Sequence, residues 1–210
     1  MSGVVESDGA LAEGEWRVFP PMELPPILEA ALGEIVRHGY DAVTVRNLAR
    51  AAGVTVPLLY YHYENKQAML AALLDHAMTI VATHLDAAVA EAGADPVARL
   101  RAVVETIVLY MANHPDLAFL DAERRSLTPE NLAAYITHRD RIESALRSAV
   151  REGCASGMFG TTMPEACARA ILSMCQGIPG WFRAEGPQTA EDLAEEYVHI
   201  ALAAVEQRHG

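Results

Sequence analysis

Two short helical segments separated by a tight turn constrain this sequence more than any other feature. The stretch TVRNLARAAG begins at Thr44, a residue type that caps helix N-termini, and ends at Gly53, a residue type that stops helices. Thr55 caps the next helix, and Pro57 lies in its first turn, where a missing N–H costs little. The preceding segment PPILEAALGEIVRHG has apolar residues at helical spacing and ends at Gly39. The pattern therefore predicts three short helices, the last two joined as a helix-turn-helix.

From Lys66 onward the pattern predicts longer helices. Breaks rich in Gly, Pro, Ser or Thr separate helical stretches at about 66–91, 96–113, 116–125, 128–153, 164–184 and 189–207. No strand of useful length is indicated. We expect an all-α protein with a helix-turn-helix head at 23–68 and a helical body at 69–210. The acidic segment 1–22 is expected to be a flexible arm, with Trp16 and Phe19 able to pin part of it.

Charge and hydropathy exclude several classes of protein. A formal net charge of -12 argues against a protein that coats nucleic acid or anionic lipid indiscriminately, although it allows a small local contact surface. No segment reaches the roughly 18 uninterrupted apolar residues of a membrane span. The acidic start does not resemble an export signal, so we expect a cytoplasmic protein with no membrane partner.

The three cysteines lack the paired spacing of a metal site. Buried thiols are the simplest interpretation, and redox sensing is the alternative. We expect neither a metal nor a cofactor.

The run from Ile27 to Leu70 resembles the DNA-binding head of the tetracycline-repressor (TetR) family. The matching positions are Gly39-Tyr40, Thr44, Arg46, Leu48-Ala49, Ala52-Gly53-Val54, Leu59-Tyr60, His62-Tyr63 and Asn65-Lys66. The resemblance implies a transcriptional repressor that binds a palindromic operator in double-stranded DNA as a homodimer and is released by a small-molecule effector. An effector among the body helices would tilt the helix that starts near Lys66 and move the two heads out of register.

The head also has the side chains that a DNA-reading helix needs. Such a helix presents donors and apolar edges to the bases near its N-terminus, with phosphate ligands at its flanks. Residues able to supply this surface are Thr55, Val56, Pro57, Leu58, Tyr61 and His62. Thr44 and the first N–H groups of the second helix could hold a phosphate, and Arg46 suits a forked contact to guanine.

The resemblance divides these residues by role. It assigns Tyr60, His62 and Lys66 to the DNA backbone, and Arg46, Pro57, Leu58 and Tyr61 to the bases. We expect Leu59, Tyr63 and Tyr40 to pack in the core of the head.

The charge balance of the head limits how it can bind DNA. Between residues 26 and 70 four basic side chains are matched by four acidic ones. Binding should therefore require the dimer, and log K should fall against log salt with a slope of about -5 if each subunit meets about three phosphates. The same balance leaves open an alternative, a ligand-binding helical protein with little DNA affinity.

Flexible and aromatic side chains on the body helices are expected to surround a ligand cavity, as in the family. They are Met78, Tyr110, Met111, Phe119, Tyr135, Met174 and Trp181. The Trp181-Phe182-Arg183 stretch and the Arg124-Arg125 pair resemble a branch of the family that senses acyl-coenzyme A thioesters in fatty-acid or sterol breakdown. On that resemblance Arg124 contacts the ligand, and a solvated helix end is the alternative.

The last two helices carry apolar stripes at helical spacing. They can form either a single-chain core or a four-helix bundle with a second copy of the chain. Candidate dimer-interface residues are Cys167, Ile171, Met174, Ile178, Tyr197, Ile200 and Ala204.

Catalytic motifs are not evident. The sequence has no H-E-x-x-H, no G-x-S-x-G and no glycine-rich phosphate loop after a strand. We therefore expect no enzyme and no catalytic residue.

Overall fold

The computed structural model describes residues 11–206 and is all-helical over that range, which confirms the predicted fold class. The α-helices are α1 (Pro26–His38), α2 (Val45–Ala51), α3 (Val56–His62), α4 (Lys66–Ala92), α5 (Pro96–Asn113), α6 (Pro115–Phe119), α7 (Pro129–Ala155), α8 (Pro164–Gln176) and α9 (Ala190–Val205). Short 3-10 helices lie at Glu15–Arg17, Leu120–Ser126 and Ile178–Gly180.

Local capping sets the geometry of α2 and α3. The Thr44 hydroxyl accepts the Asn47 N–H at 3.2 Å, while the Asn47 side chain accepts the Thr44 N–H at 3.3 Å. The Thr55 hydroxyl accepts the Leu58 N–H at 3.3 Å. Between the two helices Gly53 has a φ of +66°, a conformation that glycine adopts without steric cost. These contacts fix the turn that presents α3.

The helix α4 joins the head to the body. It begins with Lys66 in the head and runs unbroken past the predicted boundary at residue 68. Buried residues of the head and of the body belong to one continuous core, in which Leu59 and Leu70 are fully buried. By length and composition α4 could cross a membrane, but 56% of its most apolar window is buried inside the fold, as in the core helix of a soluble protein.

The segment 11–22 packs against the body. Trp16 is 1% exposed, and its carbonyl accepts a hydrogen bond from His84 Nδ1–H at 2.9 Å. Phe19 stacks on the His84 ring with centroids 4.1 Å apart, and Arg17 pairs with Glu105 at 2.7 Å. Burial of the two aromatic rings holds this part of the predicted arm against the body, as expected if Trp16 and Phe19 pin it. Residues 1–10 of the predicted arm lie outside the described residues.

Two helix boundaries differ from the expectation. The stretch predicted as one helix at 164–184 ends at Gln176, because Gly177, Pro179 and Gly180 follow. The stretch predicted at 116–125 divides into α6 and the 3-10 helix Leu120–Ser126. Both changes affect which side chains face the interior of the body.

Candidate functional site

The solvent face of α2 and α3 carries most of the residues proposed to contact DNA. Tyr61 is 83% exposed, and its ring meets the His62 ring edge to face at 5.3 Å. Leu59, on the opposite side of α3, is fully buried and fixes which face points outward. The exposed members of the predicted set are Thr44, Arg46, Thr55, Pro57, Leu58, Tyr60, Tyr61 and His62, and Val56 is half-buried.

Local charge on this face differs from the charge of the whole chain. Neither α2 nor α3 contains an acidic residue, whereas α2 has the exposed bases Arg46 and Arg50. On α1 the buried carboxylate of Glu34 is paired with Arg37 at 3.1 Å. The two helices can therefore approach an anionic surface despite the net charge of -12.

Lys66 holds the connection between α1 and α2. Its ammonium donates to the carbonyls of Tyr40 at 2.7 Å and Val43 at 2.9 Å, and it lies 4.0 Å from the centroid of the Tyr40 ring. Two of its three N–H donors are thus used inside the protein. The first turn of α4 packs this side chain against the turn before α2, so at most its third N–H is left for the phosphate that the sequence predicted as its partner.

A cavity of about 210 Å³ lies among the body helices α4 to α8. Its wall is mainly apolar, with a polar group at Asp121, Tyr135 and Arg139. The remaining lining residues are Leu74, Ala77, Met78, Val81, Ile107, Tyr110, Met111, Leu117, Ala118, Ile136, Asp140, Ile142, Glu143, Leu172 and Gln176. Ile136 and Asp140 are exposed, so the cavity opens on the α7 side.

The cavity includes half of the predicted ligand-binding residues. Met78, Tyr110, Met111 and Tyr135 line it. The other four, Phe119, Arg124, Met174 and Trp181, are not part of its wall.

Three of the predicted ligand-binding residues that do not line the cavity point elsewhere. Trp181 and Phe119 project into solvent, at 51% and 46% exposed. On α8 the cavity is lined by Leu172 and Gln176, four residues apart on one helical face, and Met174 lies on another face.

Arg124 acts on the cavity through a neighbour. Its guanidinium donates to the Asp121 carboxylate at 2.8 Å and to the Asp121 carbonyl at 2.6 Å. The same carboxylate accepts the Tyr135 hydroxyl at 2.5 Å and lies 3.5 Å from Arg139. Burial and the hydrogen bond to Asp121 raise the pKa of Tyr135, so this phenol remains a donor at neutral pH.

Asp121 and Arg139 were not among the residues predicted to bind a ligand. Asp121 lies in the 3-10 helix after α6 and Arg139 lies on α7, so only tertiary packing brings the two together. The one local signal was the spacing of Asp121 and Arg124, three residues apart with opposite charges.

The 3-10 helix Leu120–Ser126 also contacts the head. The Glu123 carboxylate, which is buried, accepts the Tyr40 N–H at 3.4 Å. The Tyr40 carbonyl accepts a hydrogen bond from Lys66. The backbone of Tyr40 is therefore bonded to the body through its N–H and to α4 through its carbonyl. Asp121 in the cavity wall and Glu123 against the head are only two residues apart.

The apolar stripes of α8 and α9 face mainly into the core of their own subunit. Ile171 and Ile178 are 1% and 0% exposed, buried in the core of their own subunit. Their assignment to a dimer interface is corrected, because periodicity identifies a shared face without identifying what covers it. Ile200, at 52% exposed, and Ala204 remain on the surface, while Met174 and Tyr197 are half-buried.

Small side chains make up part of the outward face of this helix pair. The Cys167 thiol contacts the Ala204 carbonyl at 3.3 Å, which places α8 directly beside α9. The exposed residues on these helical faces are Ala166, Arg169, Ala170 and Ser173 on α8 and Glu196, His199, Ile200, Ala203 and Ala204 on α9.

Within residues 11–206 no group of side chains is arranged to hold a metal ion. Burial raises the pKa of the Cys175 thiol to about 12 and also raises the pKa of Cys154. Both thiols are therefore poor thiolates at neutral pH.

Comparison with known proteins decides the family. Residues 27–73 match the bacterial regulatory proteins of the tetR family, and residues 93–205 match the tetracyclin repressor-like C-terminal domain. The chain belongs to the TetR family. Both the head and the body of this TetR protein are therefore accounted for.

Relatives cover most of its length. The HTH-type transcriptional repressor KstR2 of Rhodococcus jostii strain RHA1 is 26% identical over 186 residues, which are 87% of this chain and 91% of that protein. The crystal structure of the TetR family transcriptional regulator PfmR from Thermus thermophilus is 33% identical, with a TM-score of 0.72, and covers 86% of this chain and 99% of its own. AibR in complex with isovaleryl coenzyme A and operator DNA is 26% identical, with a TM-score of 0.74, over 84% and 96% of the two chains.

These matches confirm the functional class. The TetR protein is a transcriptional repressor of this family with a DNA-binding head. It belongs with regulators and not with enzymes.

Proposed function

We propose that this protein represses transcription in the cytoplasm as a homodimer, whose two α3 helices enter successive major grooves of a near-palindromic operator. A small apolar or acyl-coenzyme-A-like effector in the body cavity releases it. The observation that carries the DNA-binding part is the exposed face of Arg46 and Tyr61 on two helices without an acidic residue. Measuring operator binding with and without isovaleryl coenzyme A tests the whole proposal.

The residues of the head divide by chemistry. Arg46 presents a planar guanidinium able to make two parallel bonds to guanine in the major groove. Leu58 and Pro57 present apolar edges suited to thymine methyl groups. The hydroxyls of Thr44 and Tyr60 suit phosphate oxygens at the groove edges.

The cavity supports an effector with an apolar part. Its walls are mostly aliphatic, and its polar residues are the Asp121 cluster together with Asp140, Glu143 and Gln176. The opening beside Ile136 and Asp140 allows a large polar part, such as a coenzyme, to stay outside while the acyl part enters. The structurally similar AibR, solved with isovaleryl coenzyme A and operator DNA, favours this class of ligand.

The outward face of α8 and α9 is the proposed dimer interface. Small side chains on α8 permit close approach of a second copy, and Ile200 supplies exposed apolar area. Paired helices of this kind form a four-helix bundle across a twofold axis.

Replacing Ile200 with aspartate should convert the dimer to a monomer. The substitution would bury a carboxylate from each subunit in the interface, which costs at least about 2 kcal/mol. Sedimentation equilibrium should show weaker association, with an unchanged helical spectrum because Ile200 is on the surface of its own subunit. Val18→Asp is the matched control, since Val18 is an aliphatic residue 64% exposed on the segment before α1. An Ile200→Asp protein that remains a tight dimer would place the interface elsewhere.

We further propose that the 3-10 helix Leu120–Ser126 carries the effector signal to the head. An effector that displaces Asp121 also displaces Glu123, which then releases or shifts the Tyr40 N–H. Because Tyr40 is bonded to Lys66 as well, the displacement reaches α4 and the turn before α2. The 3-10 helix would then have two conformations, one in which Glu123 accepts the Tyr40 N–H and one in which it does not, and the effector would favour the second.

Glu123→Ala should therefore weaken the coupling between effector and operator. The coupling free energy should fall by about 0.5 to 2 kcal/mol, while the affinity for isovaleryl coenzyme A in the absence of DNA stays unchanged. The measurement is effector affinity by calorimetry, with and without operator. Glu130→Ala, on the first turn of α7, is the control for the loss of a carboxylate. Full coupling in Glu123→Ala would reject this route.

A further inference from the structure

The hydroxyl of Tyr110 is the one buried polar group on the cavity wall, within the described residues, that lacks a hydrogen-bond partner. The Tyr110 side chain is 1% exposed, so solvent does not satisfy the hydroxyl. Buried polar groups in folded proteins are normally paired, and exceptions tend to have a functional reason.

The two ends of the Tyr110 side chain have different surroundings. The ring lies 6.2 Å from the Phe19 ring and 5.6 Å from the His114 ring, both outside the cavity wall. Tyr110 lines the cavity together with Asp121 and Tyr135. Burial raises the pKa of Tyr110, and the nearby Asp121 carboxylate raises it further. Since Asp121 is near the phenol and lines the same cavity, we place the hydroxyl end of Tyr110 on the cavity side.

At neutral pH this hydroxyl is a proton donor. Its raised pKa keeps the phenol neutral, and a neutral phenol can donate one hydrogen bond. The neighbouring donors are already engaged, because Tyr135, Arg124 and Arg139 are all directed at Asp121.

We infer that Tyr110 donates this hydrogen bond to a neutral acceptor oxygen, a carbonyl, on the apolar part of the effector. The inference rests on the proposed function insofar as the cavity is the effector site, and it narrows the effector class to ketones, esters and thioesters. A free carboxylate fits poorly, since the Asp121 carboxylate is adjacent and the nearby guanidinium groups are paired with it. The carbonyl of an acyl thioester has the required chemistry.

The test compares two probes of equal chain length, 2-nonanone and nonanoate, on the dimeric protein without DNA. Calorimetry should show 2-nonanone binding wild-type protein at least about tenfold more tightly than nonanoate. Tyr110→Phe should weaken 2-nonanone by about tenfold and leave nonanoate unchanged, because only the hydrogen bond is removed.

Thermal unfolding gives a second readout that distinguishes a ligand donor from a structural hydroxyl. Removing an unpaired buried hydroxyl should leave the Tm of Tyr110→Phe unchanged or higher. Tyr135→Phe is the matched control, and its Tm should fall, because its hydroxyl is bonded to Asp121. Equal loss of Tm in both variants would overturn the inference, as would equal affinity of Tyr110→Phe and wild type for 2-nonanone, or no binding of 2-nonanone.

Operator release by isovaleryl coenzyme A separates this inference from the proposed function. Equal release of wild type and Tyr110→Phe would reject the role of Tyr110 and keep the acyl-coenzyme-A-responsive repressor. The expected ketone pattern without any release by isovaleryl coenzyme A would keep the carbonyl site and reject that class of effector.

Discussion

Arg46→Ala should lower operator affinity by about 1 to 3 kcal/mol per half-site and relax selectivity at one base position. The loss appears twice in a symmetric dimer, so it should reach about 2 to 6 kcal/mol for the complete site. The reason is geometric, because Arg46 is exposed on the acid-free face of α2 and α3. Fluorescence anisotropy with a set of single-base operator variants measures both affinity and selectivity.

Arg101→Ala is the matched control for this loss of positive charge. Arg101 is an exposed arginine on α5, in the body. Its removal should leave operator selectivity unchanged. If Arg46→Ala binds every operator variant as wild type does, Arg46 does not contact a base.

Lys66→Met should destabilise the head by about 2 to 4 kcal/mol, because it leaves the carbonyls of Tyr40 and Val43 without their donor. The turn before α2 would loosen, and operator binding would fall even though the α3 surface is unaltered. Hydrogen exchange of the amides between residues 40 and 52 localises the effect, and denaturant unfolding gives its size.

Arg101→Met controls for the charge lost in Lys66→Met. Arg101 is an exposed base on α5, in the body. The salt dependence then distinguishes two roles of Lys66. The contradicting result is a Lys66→Met protein that has the same free energy of unfolding as wild type and yet lowers the salt slope of operator binding by about 2 per dimer. In that case Lys66 binds a phosphate and does not stabilise the turn before α2.

Local interactions made the head predictable from sequence. Thr44 and Thr55 act on N–H groups only three residues away, so their roles as caps depend on nothing distant in the fold. Gly53 is likewise a local requirement of the turn. The burial of Leu59 and Tyr40 followed from the need of a three-helix head for an inward face.

The same reasoning failed where the partner of a side chain lies far along the sequence. Lys66 meets the carbonyl of Tyr40, 26 residues away, and no spacing rule indicates that contact. Ile171 and Ile200 both lie in apolar stripes, yet one is in the core and the other on the surface. Helical periodicity defines a face, and the direction of that face depends on packing.

The cavity shows most clearly which contacts cannot be predicted from the sequence. Met78 and Tyr135 were predicted from residue type and family resemblance, and they line the cavity. Asp121 and Arg139, which supply its polar group, come from the 3-10 helix after α6 and from α7. Their pairing depends on the approach of these segments, a tertiary arrangement that the pattern of single helices does not encode.

The most direct test of the account is selection of bound fragments from the genomic DNA of the source organism by the homodimer at low salt. The account predicts one enriched near-palindrome whose half-sites are centred about one helical turn apart, near 10 base pairs, or a multiple of this. It also predicts that enrichment is lost with Tyr61→Ala, since Tyr61 is the most exposed aromatic residue of α3. Fragments without a shared palindrome, or the same palindrome recovered by Tyr61→Ala at equal yield, would contradict the claim that this face of α3 lies in the major groove.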